Sequence, residues 1–364
     1  MIKVLYISSW HPVLEFDDLN LLTDLGFDWF STGHYRNPQV SNKFFLRNTI
    51  NKILDLNLYN EFISTNFLSI GSNIKLSDLI NTPINISKSF ADNFDIILVN
   101  NWISNLKDLN NFKDKCVIWR TYGNQSIDDE IYAKTLIQQG LKVARMFDFE
   151  TKLNWANPAC GLLRNYVDST IYKDWSGQEE YLLTFQNHLG IRIPIRDSLG
   201  QILYPEYSKY LELYNKIPLK LYGLENKDIP YCRGCINWTD QLIEYKSNLA
   251  YLALPVKPSP YTYNFMEAFM LGIPTINFNK ITQEYNHPIY GHTYQIPDII
   301  KQGHNGFLVE NSKDIEICFN ILRQDRGLAQ TISKNARDLA IQKFDKSIVL
   351  EEWRSFFIDL GFNS

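Results

Sequence analysis

Strand-length apolar runs alternate with longer helix-compatible stretches along most of this 364-residue chain, and the alternation occurs in two series. The runs cover residues 2–8, 27–32, 95–100, 116–119 and 141–147 in the first series, and 180–185, 218–223, 235–238, 249–255, 274–278 and 306–309 in the second. Strands that alternate with helices form parallel sheets covered by helices. The sequence therefore predicts an α/β protein made of two similar halves.

Composition and charge narrow the classes of protein that the chain can belong to. Hydrophobic residues make up 45% and aromatic residues 14%, which is enough apolar mass for real cores. The net charge of −4 lacks the basic excess that neutralises nucleic-acid phosphates in bulk. The N-terminus lacks a secretory signal pattern, and no apolar stretch reaches the ~18 residues of a membrane span. The five cysteines fit free thiols better than a disulfide framework. We expect a cytoplasmic protein without a transmembrane segment.

The connections between the runs carry three further predictions. Residues 43–63 read as an amphipathic helix with Lys43, Arg47 and Lys52 on its polar side, and a solvated surface helix is favoured there over a membrane-touching one. The polar segment 172–180 is interpreted as the linker between the halves. From residue 313 onward, apolar residues recur at the i, i+3, i+4 spacing of amphipathic helices.

The segment 254–278 combines the features of a ligand site. After the strand that ends near Pro255, a loop with three prolines leads to a helix that we expect to begin between Thr262 and Asn264 and to end at Gly272. The first-turn amides of such a helix can hold a phosphate. Glu267, about one turn in, can accept hydrogen bonds from a diol such as ribose.

Three segments in this half carry a family resemblance. NFMEAFMLGIPTI (264–276), GHNGFLVENSKDI (303–315) and ARDLAIQKFDKSIVLEEW (336–353) occur in that order. Together they resemble the C-terminal half of the retaining GT-B glycosyltransferases, the glycosyltransferase family 4-like or group 1 family. The family reads E-x7-E-A-x-A-x-G-x-P, then N-G-x-L-V, then an Ala-Arg helix and a late helix that contains Trp.

The resemblance implies a fold and a domain organisation. The fold would be GT-B, with two Rossmann-like domains whose parallel sheets face across a cleft. Residues 1–171 would bind the acceptor and 172–345 the nucleotide sugar. Residues 346–364 would form a helix that packs back on the N-terminal domain.

The resemblance also implies an activity. The protein would move a sugar from a nucleotide-diphosphate sugar, UDP- or GDP-linked, to an acceptor hydroxyl with retention of anomeric configuration. The departing phosphate oxygen would take the acceptor proton. No cofactor or metal would be obligatory, and the acceptor, whether glycan, lipid, protein or nucleobase, stays open.

The family pattern can be carried over position by position. Glu267 stands at the second glutamate, which holds the ribose, and Ser259 at the first. Asn187 replaces the Arg of the family's G-R-x4-K stretch, while Arg192, with Arg196 as its competitor, takes the position of the Lys that faces the diphosphate. The residues expected to bind the donor are Asn187, Arg192, Ser259, Tyr261, Thr262, Tyr263, Asn264 and Glu267.

In the first half, VIWRTYGNQ (117–125) resembles the family's His-Gly at a strand end, with Tyr122 at the position of the His. The residues expected to act in catalysis are thus Arg192, Glu267 and Tyr122. Asp17 and Asp18 follow the first strand and form a carboxylate pair that can face an acceptor.

Three other functions stay open beside a sugar transfer of this kind. They are a catalytically degenerate sugar-nucleotide-binding protein, a sugar-nucleotide epimerase on the same fold, and a glycosyltransferase that acts on modified DNA bases. The Cys232-Arg-Gly-Cys235 motif lacks a second pair at zinc-site spacing, so the sequence predicts no metal site.

Overall fold

A computed structural model of the chain describes residues 1–9, 11–36, 50, 52–67, 84–106, 109–123, 125–187, 212–224, 226, 229, 231–254, 260–279, 286–287, 291–292 and 294–363. The chain divides into two compact units. The first comprises Met1–Asn165 together with Val349–Ser364, and the second comprises Tyr166–Ile348.

The first unit is built on a six-stranded sheet in which every neighbouring pair is parallel. Its strands are β1 (Lys3–Ile7), β2 (Asp28–Ser31), β3 (Ile96–Asn100), β4 (Cys116–Arg120), β5 (Lys142–Arg145) and β6 (Gly161–Leu162). Their order in the sheet is β2-β1-β3-β4-β5-β6. All five residues of β3 are buried, as continuous apolar runs require when helices cover both faces of a sheet.

Helices connect these strands. The described α-helices of this part of the chain are α1 (Pro12–Asp24), α2 (Leu56–Phe67), α3 (Lys88–Ala91) and α4 (Ile127–Ile137), and 3₁₀ turns cover His34–Arg36, Ile103–Asn105, Asn110–Phe112 and Asp148–Lys152. A capping box begins α4, because the Ser126 hydroxyl accepts from Asp129 N while the Asp129 carboxylate accepts from Ser126 N. The predicted alternation of strand and helix is thus present in the first unit.

The second unit repeats the scheme with five parallel strands. They are β7 (Glu179–Phe185), β8 (Leu219–Tyr222), β9 (Asn248–Ala253), β10 (Thr275–Phe278) and β13 (Phe307–Val309), and a separate antiparallel pair consists of β11 (Asn286–His287) and β12 (Gly291–His292). The order in the large sheet is β13-β10-β9-β7-β8. The described α-helices that follow α4 are α5 (Trp238–Ser247), α6 (Tyr263–Leu271), α7 (Ile296–Ile299), α8 (Ser312–Gln324), α9 (Arg326–Phe344) and α10 (Lys346–Asp359), and a 3₁₀ turn covers Glu212–Asn215.

From Val349 onward, helix α10 belongs to the first unit. Trp353 is fully buried there, and its indole N–H donates to the carbonyl oxygen of Arg164 at 2.9 Å. The ring of Phe357 meets that of Phe27 edge-on at 5.0 Å between centroids. The apolar side of α10 is therefore part of the core of the first unit. Within the described residues, no helix is long and apolar enough to cross a bilayer.

Two sequence predictions fail locally. Residues 43–49 and 51 of the predicted helix 43–63 lie outside the described residues, and residues 50 and 52–55 are not helical. Lys52 does not lie on a solvated helix face, because its ammonium pairs with Asp28 and lies 4.5 Å from the Trp29 ring centroid.

The predicted strand 235–238 is the second failure. Asn237 caps helix α5 there, with its side-chain oxygen accepting from Asp240 N at 2.9 Å. The local capping hydrogen bond takes precedence over an apolar run of only four residues.

Trp353→Ala tests how much the first unit depends on α10. Removal of a fully buried indole leaves a cavity and the Arg164 carbonyl without its donor, so we expect a loss of about 3–5 kcal/mol in the free energy of unfolding. Ile358→Ala on the same helix is the control, since Ile358 is exposed, and it should change stability by less than about 0.5 kcal/mol. Denaturant titrations followed by circular dichroism measure both values, and equal losses would contradict the packing described here.

Candidate active site

The carboxyl end of the second sheet brings helix α6 to the point where the strand order reverses. The chain runs from β7 to β8 on one side and then crosses back to β9 on the other, so the strand order reverses at β7, and open α/β sheets bind ligands beyond the carboxyl end of the strand at such a point. Asn264, in the first turn of α6, reaches this end, because its side-chain amide donates to the carbonyl oxygen of Phe185 at 3.4 Å. The start of α6 therefore lies where open α/β sheets bind their ligands.

The ends of α6 agree with the sequence prediction. Thr262 is the N-cap, and its hydroxyl oxygen accepts from Phe265 N at 3.2 Å. Gly272 ends the helix at a φ of 86°, a left-handed conformation that glycine adopts without steric cost. The amides at the N-terminus of α6 thus carry the partial positive charge of a nine-residue helix.

Glu267 lies inside a cage of hydrogen-bond donors and is only 3% exposed. Its Oε1 accepts from the Tyr172 hydroxyl at 2.6 Å, and its Oε2 accepts from Gln241 Nε2 at 3.3 Å and from the Tyr245 hydroxyl at 3.4 Å. The indole N–H of Trp238 in turn donates to the Tyr172 hydroxyl at 2.9 Å. These donors stabilise a buried carboxylate that would otherwise be costly.

Tyr245, which donates to Glu267 Oε2, is a neutral donor. Burial raises the pKa of Tyr245 well above its usual value, and the nearby Tyr251 and Glu267 raise it further. A phenol in this state keeps its proton at neutral pH and can donate to the carboxylate.

Arg337 of helix α9 fixes the segment that carries Tyr172. Its Nη1 donates to the Met270 carbonyl oxygen at 2.6 Å and also to the Tyr172 carbonyl oxygen, and its Nη2 donates to Ser169 O at 2.9 Å. One guanidinium thus satisfies a carbonyl in the last turn of α6 and holds the chain whose tyrosine contacts Glu267. This gives a physical role to the Ala-Arg pair in the family resemblance.

The other residues expected to bind the donor differ in their surroundings. Asn264 joins the cage, since its Oδ1 accepts from Gln241 Nε2 at 3.4 Å. Asn187 is exposed after β7 and its Oδ1 accepts from Leu224 N at 2.9 Å, so it connects two strand-end loops. The ring of Tyr261, which is partly buried, packs on that of Phe344 with 5.3 Å between the ring centroids.

Thr262 and Tyr263, at the start of α6, are both partly exposed. Arg192, its competitor Arg196, and Ser259 lie outside the described residues. The structure therefore brings Asn264 and Glu267 together around Gln241, and the predicted roles of the other residues stay predictions.

Sequence reasoning missed Tyr172, Trp238, Gln241 and Tyr245. Gln241 and Tyr245 are four residues apart on α5, a spacing that places two polar groups on one helix face and offered a signal. Tyr172 offered none, because 95 residues separate it from Glu267.

Tyr122 occupies the corresponding edge of the first sheet, two residues beyond β4. Its hydroxyl oxygen accepts from the Ser9 hydroxyl at 3.1 Å, and the Arg120 guanidinium lies 5.7 Å from its ring centroid. Burial raises the pKa of Tyr122, and the charge of Asp18 raises it further. Tyr122 is therefore a neutral hydroxyl held beside the end of β1.

The hypothesis that Asp17 and Asp18 face an acceptor is wrong. Both lie on helix α1, and they are 1% and 0% exposed. Asp18 Oδ2 accepts from the Tyr6 hydroxyl at 2.6 Å and from Arg120 Nη1 at 2.5 Å. The pair thus points into the first unit and not toward solvent.

The CxxC motif has free thiols at Cys232 and Cys235. Across the described parts of the chain, no group of three or more His, Cys, Asp or Glu side chains is arranged to hold a metal ion.

Gly123→Ala measures how tightly the loop that follows β4 is packed. The φ of Gly123 is +77°, and a Cβ there would lie 2.7 Å from the Phe147 ring. Gly26 is the matched control, with a φ of +75° and no heavy atom within 4 Å of the added Cβ. Both alanines carry the left-handed strain of about 1–2 kcal/mol, and the clash should cost Gly123→Ala about 1–3 kcal/mol more in unfolding free energy. Equal losses of unfolding free energy for the two variants in denaturant titrations would show that the loop rearranges to accommodate the added methyl group.

Comparisons with known proteins bear on the fold. No protein-family model and no curated protein sequence matches the chain. Among solved structures, the chain is similar to a sucrose-phosphate synthase from Thermosynechococcus elongatus, with a TM-score of 0.63 and 11% identity over 99% of both chains. It is similar to a glycosyltransferase from Rickettsia africae, with a TM-score of 0.62 and 13% identity over 100% of this chain and 99% of that one. It is also similar to Anabaena HepE in complex with UDP-glucose, with a TM-score of 0.61 and 11% identity over 99% of this chain and 100% of that one.

These similarities extend over both units and lie at identities where the fold alone is informative. They confirm the predicted fold class. The chain has the two-unit α/β fold of the GT-B glycosyltransferases.

Proposed function

We propose that the protein is a glycosyltransferase that moves a sugar from a nucleotide-diphosphate sugar to an acceptor hydroxyl. The observation that carries the proposal is the position of Glu267, one turn into α6, at the end of β7 and inside a cage of neutral donors. A carboxylate oxygen can accept more than one hydrogen bond, and the bonds from Gln241 and Tyr245 to Oε2 are long, at 3.3 and 3.4 Å. A ribose diol can therefore share this carboxylate with Gln241 and Tyr245.

The donor diphosphate fits the start of α6. The amides of the first helical turn attract phosphate through their free N–H groups and the helix dipole. Arg192 is proposed to add a cation, and Ser259 to contact the donor sugar. UDP-glucose is the first donor to test, because Anabaena HepE, which shares the fold, is in complex with it.

The transfer requires positioning and charge stabilisation more than a nucleophile of the protein. As the glycosidic bond breaks, negative charge grows on the departing diphosphate, and preorganised amides and cations stabilise that charge. The second unit would bind the donor and the first unit the acceptor beside Tyr122. We further propose that the transfer retains the anomeric configuration, that it requires no metal, and that the protein is cytoplasmic.

Glu267→Gln tests the donor site. The substitution keeps the shape of the side chain and removes the charge, and a hydrogen bond to a charged group contributes about 1.5–3 kcal/mol. We expect the Kd for UDP-glucose, measured by isothermal titration calorimetry, to rise by roughly 10- to 150-fold. Glu310→Gln, an exposed glutamate in the same unit, should leave that Kd unchanged.

An unchanged Kd for Glu267→Gln would remove Glu267 from the site. NMR of the product anomer, with a panel of acceptors, then tests the stereochemistry, and an inverted anomer would exclude retention. Tight binding of UDP-glucose by wild-type protein without transfer or hydrolysis would favour the degenerate binding protein.

A further inference from the structure

One buried carboxylate holds the loop that carries Tyr122. Glu150, in the 3₁₀ turn after β5, accepts from the backbone N–H groups of Met146 and Phe147 on Oε2, at 3.0 and 2.9 Å. Its Oε1 accepts from the Thr121 hydroxyl, at the beginning of the loop. The carboxylate thus ties the end of β5 to the end of β4.

Gln125 extends this link to the backbone of Tyr122 itself. We assign the orientation of the Gln125 amide that pairs each donor with an acceptor. In that orientation its nitrogen donates to Glu150 Oε1 at 2.9 Å, and its oxygen accepts from Tyr122 N at 2.6 Å and from Gly123 N at 3.1 Å. Gly123 then leaves no room for a side chain against Phe147. The loop is therefore fixed at both ends and in its middle.

Burial of the Glu150 carboxylate costs more free energy than a side chain with only a packing role would cost. The side chain is 1% exposed, and burial raises the pKa of its carboxyl. Among the described residues, its hydrogen bonds come from the neutral groups of Thr121, Gln125, Met146 and Phe147, and the nearby Arg145, whose charge lowers the pKa of Glu150, forms its ion pair with Glu130. A charge buried without a directly paired cation is expensive, and groups perturbed in this way concentrate at functional sites.

We propose that Glu150 is a positioning residue for the acceptor side of the reaction, acting through Gln125 on Tyr122. The inference rests on the proposed function, since it assigns Tyr122 to the binding of the acceptor hydroxyl or the donor sugar. We call Glu150 and Gln125, with the hydrogen bonds that they form to the loop, the clamp. The clamp keeps the Tyr122 hydroxyl beside that of Ser9, at the carboxyl end of β1. A displacement of about 1 Å in such a group lowers transfer by as much as 10²-fold.

Hydrogen exchange tests the clamp without any assay of activity. In Glu150→Gln, the amides of Tyr122 and Gly123 should exchange at least tenfold faster than in the wild type, because the Gln125 amide loses its carboxylate acceptor. Glu130→Gln is the matched control, as Glu130 is equally buried in the same unit but pairs with Arg145. If Glu150→Gln fails to fold, Gln125→Ala removes the same link and should give the same acceleration. Unchanged exchange at the two amides overturns the proposal.

Kinetics with UDP-glucose test the role in the reaction. Glu150→Gln should lower kcat by roughly 10- to 100-fold and leave the KM for UDP-glucose within twofold of the wild type. Combined with Tyr122→Phe, it should add little further loss, because both act on one hydroxyl. Multiplicative losses, or an equal fall in kcat for Glu130→Gln, would overturn the positioning role. A wild type that neither binds nor turns over any member of a panel of UDP- and GDP-linked sugars overturns the proposed function, while faster exchange still supports the clamp.

Discussion

The first unit depends on one buried guanidinium, that of Arg120. Its Nε donates to Leu163 O at 2.7 Å, its Nη1 to Asp18 Oδ2 at 2.5 Å, and its Nη2 to Asn165 Oδ1 at 2.6 Å. The Trp353 ring lies 5.1 Å from it. Strand β4, helix α1, the chain after β6 and helix α10 thus share one cation. Loss of one partner of such a pair leaves an uncompensated buried charge, at a cost of about 3–5 kcal/mol.

The hydrogen bonds of Arg120 also order the edge of the sheet where Tyr122 lies. Arg120 is the last residue of β4, and the ring of Tyr122 contacts its guanidinium. Asp18 pairs with that guanidinium and also accepts a hydrogen bond from the Tyr6 hydroxyl. Burial raises the pKa of Tyr6 well above its usual value. Stability and site are therefore built from one network. Glu150 then fixes the loop from the other side, so the hydroxyl of Tyr122 is positioned by two independent carboxylates.

Local patterns in the sequence were sufficient for most of the fold. Ten of the eleven predicted strands occur, and the ends of α6 followed from Thr262 and Gly272, whose capping roles depend only on their neighbours. What failed depends on partners far along the chain. Asp17 and Asp18 looked like a pair that faces an acceptor because Arg120, which holds Asp18 inside, lies 102 residues away. Periodicity carries no information about such pairs.

The candidate site shows the same division between local and distant signals. Glu267 could be chosen from its place in a capped helix that follows a strand, a purely local pattern. Its cage could not, because Tyr172 and Gln241 come from two other segments that only the folded sheet brings together. Arg337, which holds the Tyr172 segment, lies further along still, on α9.

The two units place the same kind of group near the carboxyl ends of their sheets. In each, a buried carboxylate accepts from a buried tyrosine, Asp18 from Tyr6 and Glu267 from Tyr172, in both cases at 2.6 Å. In each pair the phenol is the donor and the carboxylate the acceptor. In the first unit Arg120 Nη1 pairs with Asp18 at 2.5 Å, and in the second Gln241 and Tyr245 add their hydrogen bonds to that of Tyr172 on Glu267. Under the proposed function, the donors around Glu267 hold its carboxylate in place to accept from a ribose diol, because one carboxylate oxygen can accept more than one hydrogen bond.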